Sequence, residues 1–339
     1  MNYFNSNEPF ITESGETLST LTIAYDTYGT LNAEKNNVVW ACHALTSNSS
    51  VTEWWQGVVG DNTVIDPARY FIVCANIPGS CYGSTGPLSI NPRTEKAYYS
   101  DFPLITIRDI VRVLIMLRKH LEIENIFLLM AGSMGGYQAL EWVVMEKEKI
   151  QNLFLITTSA AESAWGIAIH TAQRLAIEAD STWRDKSATA GKHGLKAARA
   201  LGLLTYRNYK ILVEKQTDPD VEKIDNFKAS SYIVYQGEKL VKRFNAQTYW
   251  LLTKAMDSHN LARGRNKTIV EVLQTITKKT LIMGIKSDLL CPVDEQKHIA
   301  NHMPNATYIE IDSSYGHDGF LIEYEKISYY LLKWLPHLG

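Results

Sequence analysis

The run Ala131-Gly132-Ser133-Met134-Gly135-Gly136 narrows the fold of this chain more than any other stretch. It follows an apolar segment, residues 126–130, and precedes a helix-like segment, residues 137–146. A serine on a sharp strand-to-helix turn is a nucleophile elbow: the turn strains the serine backbone and presents its Oγ to a cleft. Strand and helix approach closely enough only when the residues two before and two after the serine are small. Here they are Ala131 and Gly135, so alanine, the least bulky replacement, stands where the pattern has glycine.

The segments around the elbow alternate between strand-like and helix-like. Short runs rich in β-branched and aromatic residues at 38–42, 70–75, 125–130, 153–157, 280–285 and 306–311 read as buried strands, and the alternating run 21–25 as an outer strand. Ile107, Ile110, Val111, Leu114 and Leu117 form a helical stripe within residues 105–121. Such alternation implies a mostly parallel central sheet with helices on both faces. Residues 161–275 are helix-like without a clear strand. The expected organisation is therefore an α/β core from 1–160 and 276–339 with a helical lid, 161–275, inserted over the active site.

The 339 residues are 45% hydrophobic and 21% charged, enough to bury a large core. The formal charge of −2 comes without blocks of like charge, which argues against a nucleic-acid partner. No secretory leader is read in residues 1–8, and no apolar run reaches the roughly 18 residues of a membrane span. Cys42, Cys74, Cys81 and Cys291 are scattered without metal-ligand spacing. No metal site is expected, and the cysteine pattern fits a reducing, cytoplasmic setting.

A serine hydroxyl needs a base within hydrogen-bond reach, and the base needs an orienting group. In the α/β-hydrolase fold the order along the chain is Ser, then Asp or Glu, then His. Asp288 follows the strand ending at Ile285, and His317 lies in a Gly-flanked loop after the strand ending near Ile311. Asp288 alone would read as a turn residue; with Ser133 and His317 at the same kind of strand end it reads as the third member of a triad. The oxyanion donors are expected to be the backbone N–H groups of Met134 and Leu45. His43 reads as a structural histidine satisfied by backbone. His120, His193, His259, His298, His302 and His337 stand in polar or helix-end contexts. The glycine-rich stretch 79–86 lacks the lysine of a phosphate loop and reads as a tight surface loop near the site.

Several segments together resemble the homoserine O-acetyltransferase family. They include His43-Ala44-Leu45-Thr46, Cys81-Tyr82-Gly83-Ser84-Thr85-Gly86-Pro87, Gly132-Ser133-Met134-Gly135-Gly136, Gln173-Arg174, Ala255-Met256-Asp257, Ser287-Asp288-Leu289-Leu290 and Tyr315-Gly316-His317-Asp318. The similarity runs from about residue 10 to 335. It implies a ping-pong transfer in which Ser133 takes acetyl from acetyl-CoA, a co-substrate rather than a cofactor, and passes it to L-homoserine in methionine biosynthesis. It further implies Arg174 on the homoserine carboxylate, Asp318 on its ammonium, and a homodimer built through the lid. Ala131 departs from the family pattern beside the nucleophile, and Asn245 stands where aspartate is expected. Relatives on the same scaffold use succinyl-CoA, or serine as acceptor, and the triad alone would suit an esterase; these alternatives stay open at the level of sequence.

Overall fold

The computed structural model describes residues 1–335, and His337 lies outside them. Eight strands form one sheet: β1 (Asn2–Ser6), β2 (Leu21–Tyr28), β3 (Val38–Cys42), β4 (Phe71–Ala75), β5 (Ile126–Gly132), β6 (Ile150–Ile156), β7 (Lys279–Ile285) and β8 (Ala306–Ile311). Their order is β1-β2-β4-β3-β5-β6-β7-β8. From β4 to β8 every pairing is parallel. β2 pairs antiparallel with β4, and β1 antiparallel with β2. The run 21–25 is therefore not the outer strand. Asn2–Ser6 holds that edge, and with Phe4 its one core-facing aromatic it carries no hydrophobic alternation by which a sequence could reveal it.

The central strands β3 and β5 are buried along their whole length, as strands covered on both faces must be. Successive side chains point to opposite faces. Val38 and Trp40 join one core with Ile110, Leu114 and Trp142; Val39 and Ala41 join the other with Trp55, Phe320 and Leu331. Trp40 and Trp142 meet edge to face at 4.9 Å between centroids. The first core is covered by α1 (Ile107–His120), whose start is fixed by a Thr106–Asp109 capping box. Helix α2 (Met134–Met145) begins directly after Ser133, three residues earlier than its apolar pattern.

Six helices lie between β6 and β7, and the first five form a layer: α3 (Ala164–Glu178), α4 (Lys192–Tyr206), α5 (Tyr209–Gln216), α6 (Lys228–Val241) and α7 (Ala246–Asp257). α3 packs on α4, α4 on α6, and α7 on α3. The chain leaves and rejoins the core at one place. The Glu162 N–H donates to His259 O at 2.9 Å, and the Leu261 N–H donates to Ala160 O at 3.1 Å. Past that point Arg265 grips Glu141 of α2 at 2.6 Å, and α8 (Ile269–Gln274) buries Val272 and Leu273 in the core. Because β3 and β5 to β8 are parallel, the loops after them gather at one edge of the sheet, beneath the helical layer.

Candidate active site

Ser133 sits at the end of β5 with φ 55° and ψ −131°, a strained conformation that costs about 1–3 kcal/mol. Three hydrogen bonds hold it there. Its N–H donates to Ile156 O at 3.1 Å, and its carbonyl accepts from the Gly136 N–H at 2.8 Å and from Thr158 Oγ1 at 3.0 Å. The turn also demands missing side chains. A Cβ on Gly135 would lie 2.2 Å from Cys42 O, and one on Gly136 would lie 2.3 Å from Thr158 Oγ1. Ala131 is under no such pressure. It lies within β5 in register with Cys42 and Leu155, and its methyl is fully buried.

The structure brings Ser133, His317 and Asp288 together. His317 Nε2 lies 2.8 Å from Ser133 Oγ, and Nδ1 lies 2.7 Å from Asp288 Oδ2. A carboxylate only accepts, so Nδ1 carries the proton and Nε2 is free to take one from the serine. Asp288 is itself fixed, because its Oδ1 accepts the N–H groups of Leu290 at 2.8 Å and Cys291 at 2.9 Å. All three residues are buried. Burial, the largest influence on His317, pushes its pKa down. The Asp288 charge, the hydrogen bond to it and the charge of Asp318 together outweigh burial, and the pKa is raised above the ordinary histidine value. This arrangement can draw a proton from a hydroxyl and hold it as an imidazolium.

The expected oxyanion donors are set by different means. Met134 opens α2, so its N–H is one of the unpaired first-turn donors. Leu45 lines the same cavity as Ser133 and His317, and its N–H has no acceptor within the described residues. His43 explains why. Its Nδ1 bonds Ala44 O at 2.8 Å, the Ser47 N–H donates to the same oxygen at 3.0 Å, and its Nε2 accepts the Ile77 N–H at 3.2 Å. Clamping the Ala44 carbonyl turns the Leu45 N–H of the same trans peptide the other way. Burial lowers the His43 pKa to about 4, so the ring stays neutral in this role.

The cavity over Ser133 has a volume of about 600 Å³. Asp318 lines it and pairs with Arg207 at 3.1 Å. Arg199, Lys239 and Arg243 line it too, with no carboxylate partner among the described residues. Arg174 departs from expectation. It is buried and does not line the cavity; Asp257 draws its Nη2 to 2.6 Å, while its Nη1 is buried without a partner. The residue one turn earlier, His170, reaches the cavity instead. Sequence reasoning assigned no role to His170 or Asp257; the cues were the i, i+4 spacing of His170 and Arg174 on one helix face and the place of Asp257 in the segment Ala255-Met256-Asp257.

One further reading changes. The stretch 79–86 is mostly buried rather than a surface loop: Ser80, Ser84 and Thr85 are buried, and Ser84 Oγ donates to Asn76 O at 2.6 Å. Tyr82 and Thr46 are tied together by Arg243, which donates to both, so this stretch braces the loop that carries Leu45. His259 is buried as well, stacked on Tyr137 at 4.1 Å. Among the described residues, Asp288, Cys291 and His317 are the one cluster of metal-ligating types. The atoms of Asp288 and His317 are already bonded to one another and to Ser133, and burial pushes the Cys291 thiol well up. Such a set is a poor cradle for a cation.

Residues 37–324 match the family model described as alpha/beta hydrolase fold. Over 328 residues the chain is 48% identical to the homoserine O-acetyltransferase of Cyclobacterium marinum, which covers 97% of this chain and 93% of that one. The X-ray structure of homoserine O-acetyltransferase from Bacillus anthracis is similar with a TM-score of 0.90 at 24% identity, covering 99% of this chain and 97% of that one. An acetylester hydrolase from Corynebacterium glutamicum is similar with a TM-score of 0.87 at 20% identity, covering 98% and 96%. At these identities the two structures share the fold.

Proposed function

The chain belongs to the homoserine O-acetyltransferase family, and from that premise we propose that it carries acetyl from acetyl-CoA to the hydroxyl of L-homoserine through an acyl-Ser133 intermediate. The observation that carries the mechanism is the continuous line Ser133 Oγ–His317–Asp288 at a cavity roofed by helices. His317 takes the Ser133 proton as Oγ attacks the thioester carbonyl. The Leu45 and Met134 N–H groups receive the oxyanion. The tetrahedral intermediate collapses, the C–S bond breaks, and the thiolate leaves with the proton from His317. Homoserine enters, His317 takes its hydroxyl proton, and the oxygen attacks the acyl-serine. Collapse frees O-acetylhomoserine and returns the proton to Ser133.

Three features support the substrates. Arg199, Lys239 and Arg243 give the cavity a cationic lining suited to a phosphate-rich donor such as CoA. Asp318 offers a carboxylate for the acceptor's ammonium. Arg174 would meet the acceptor's carboxylate through its free Nη1, which requires the wall in front of it to open. Leu175, Leu204, Tyr209, Val213, Val234 and Tyr235 are exposed on this layer and support pairing of two copies through it. No described helix is long and apolar enough to cross a membrane. Four unpaired cysteines support action in the cytoplasm, in methionine biosynthesis.

Initial-rate kinetics test the proposal. Parallel double-reciprocal lines for acetyl-CoA and L-homoserine are expected, with slower turnover of succinyl-CoA and L-serine. Thiol release that continues unchanged without any acceptor would identify a hydrolase and overturn the reading.

A further inference from the structure

The helical layer contributes to the cavity a second histidine–carboxylate pair that the steps above leave unused. His170 on α3 lines the cavity together with Met256 of α7, yet the ring itself is buried. Its Nδ1 lies 2.9 Å from Asp257 Oδ1, and Glu162 Oε2 stands 3.9 Å from the same nitrogen. Both neighbours are carboxyl groups, so the proton resides on Nδ1. Asp257 ends α7, where the helix dipole disfavours a carboxylate. It is held there between His170 on one oxygen and Arg174 on the other, at 2.6 Å. His170 and Arg174 are four residues apart on one face of α3, so a single carboxylate locks both side chains. The ring cannot turn without breaking this bridge.

That leaves Nε2 as the polar atom the ring offers to the cavity. It makes no hydrogen bond among the described residues, and with Nδ1 protonated it presents a lone pair. A lone pair backed by a half-buried carboxylate suits a cationic N–H donor. An α-ammonium has three such donors. Asp318 already accepts from Arg207 and cannot satisfy all of them alone.

We propose that His170 is an acceptor-binding residue, whose Nε2 accepts a hydrogen bond from the α-ammonium of the incoming amino acid while Asp257 holds the ring in the tautomer that allows it. The inference rests on the acyl-transfer reading and deepens it: the site selects an amino acid over a simple alcohol through this contact. His170 takes no part in acylating Ser133.

The experiment compares L-homoserine with 4-hydroxybutanoate, which has the same hydroxyl and carboxylate but no amine. In His170→Ala the KM for L-homoserine is expected to rise about ten- to a hundredfold, with the KM for 4-hydroxybutanoate and the acetyl-CoA thiol burst within about twofold of wild type. His170→Gln, whose amide oxygen can accept at similar reach, should recover part of the loss. An equal loss for both acceptors, a slowed burst or an unchanged homoserine KM would overturn the proposal. Calorimetric binding of both compounds to Ser133→Ala protein, with and without His170→Ala, reads the same contact without turnover. If wild type passes acetyl only to water, the acyl-transfer reading fails, while this calorimetry still decides on His170.

Discussion

Gly135→Ala is the substitution whose consequence follows most directly from the geometry. The new Cβ would stand 2.2 Å from Cys42 O, and real Cβ atoms essentially never come within 3.0 Å of such an atom. The partner is backbone of β3, so the strain cannot be relieved by turning a side chain. The start of α2 must move from the end of β3 by about 0.8 Å or more. Those two segments carry the Met134 and Leu45 N–H groups. A displacement of about 1 Å in a reacting constellation costs roughly a hundredfold in rate, and complete loss of one oxyanion donor about 10²–10³-fold. Overpacking a close contact of this kind costs about 1–3 kcal/mol of stability. The expected variant is folded, has a lower urea midpoint, and forms acyl-enzyme about 10²–10³-fold more slowly in a stopped-flow thiol assay. Ala131→Gly, which removes a methyl beside Cys42 and adds no atom against its carbonyl, is the control and should keep the acylation rate within about threefold. A Gly135→Ala protein that acylates at the wild-type rate would refute the claim that this close approach aligns the two donors.

Three further outcomes are expected. Asp288→Asn should preserve the fold yet lower kcat by about 10⁴-fold, because an amide can donate to Nδ1 and so favours the wrong His317 tautomer; steady-state rates check it. His317 must be neutral to act as base and its pKa is raised, so acyl-enzyme formation should fall on the acid side with a midpoint above the ordinary histidine value. Asp318→Asn removes one of the charges that raise it, and a pH–rate profile should show that limb moved to lower pH. His43 and His259 are both held neutral with pKa values of about 4, so an unfolded chain takes up protons that the folded one refuses. Stability should be full above the ordinary histidine value and lost as pH falls toward 4, by about 2 kcal/mol for each histidine between pH 7 and pH 5 in urea titrations.

The parts of the fold legible in the sequence were those where one local signal coincides with one physical need. The strands at Val38–Cys42 and Ile126–Gly132 are apolar throughout because both faces are covered. Ser133, Asp288 and His317 could be matched because each closes a strand at the same edge of a parallel sheet. Other elements depended on contacts distant in sequence. The edge strand Asn2–Ser6 turns only Phe4 toward the core, too little to reveal it, and is positioned by that contact and by its register with Leu21–Tyr25. The stretch 79–86 looked like a surface loop because it is rich in Gly and Ser, yet the Ser84 and Thr85 hydroxyls satisfy backbone groups, as Ser84 does for Asn76 O. Arg174 was legible as a cation on α3, but its distance from the cavity depends on Asp257, 83 residues away in sequence. His170 carried no signal beyond its i, i+4 spacing with Arg174 until that bridge was visible.

The central claim is that acetyl pauses on Ser133 and then leaves to an amino-acid hydroxyl. Mixing the protein with acetyl-CoA alone and following both thiol release and intact mass tests it in one measurement. One equivalent of thiol per active site is expected, with an acetyl group on the peptide that contains Ser133, stable until L-homoserine is added and then recovered as O-acetylhomoserine. Continuous thiol release with free acetate as product, or acetylation that persists in Ser133→Ala, would contradict the account.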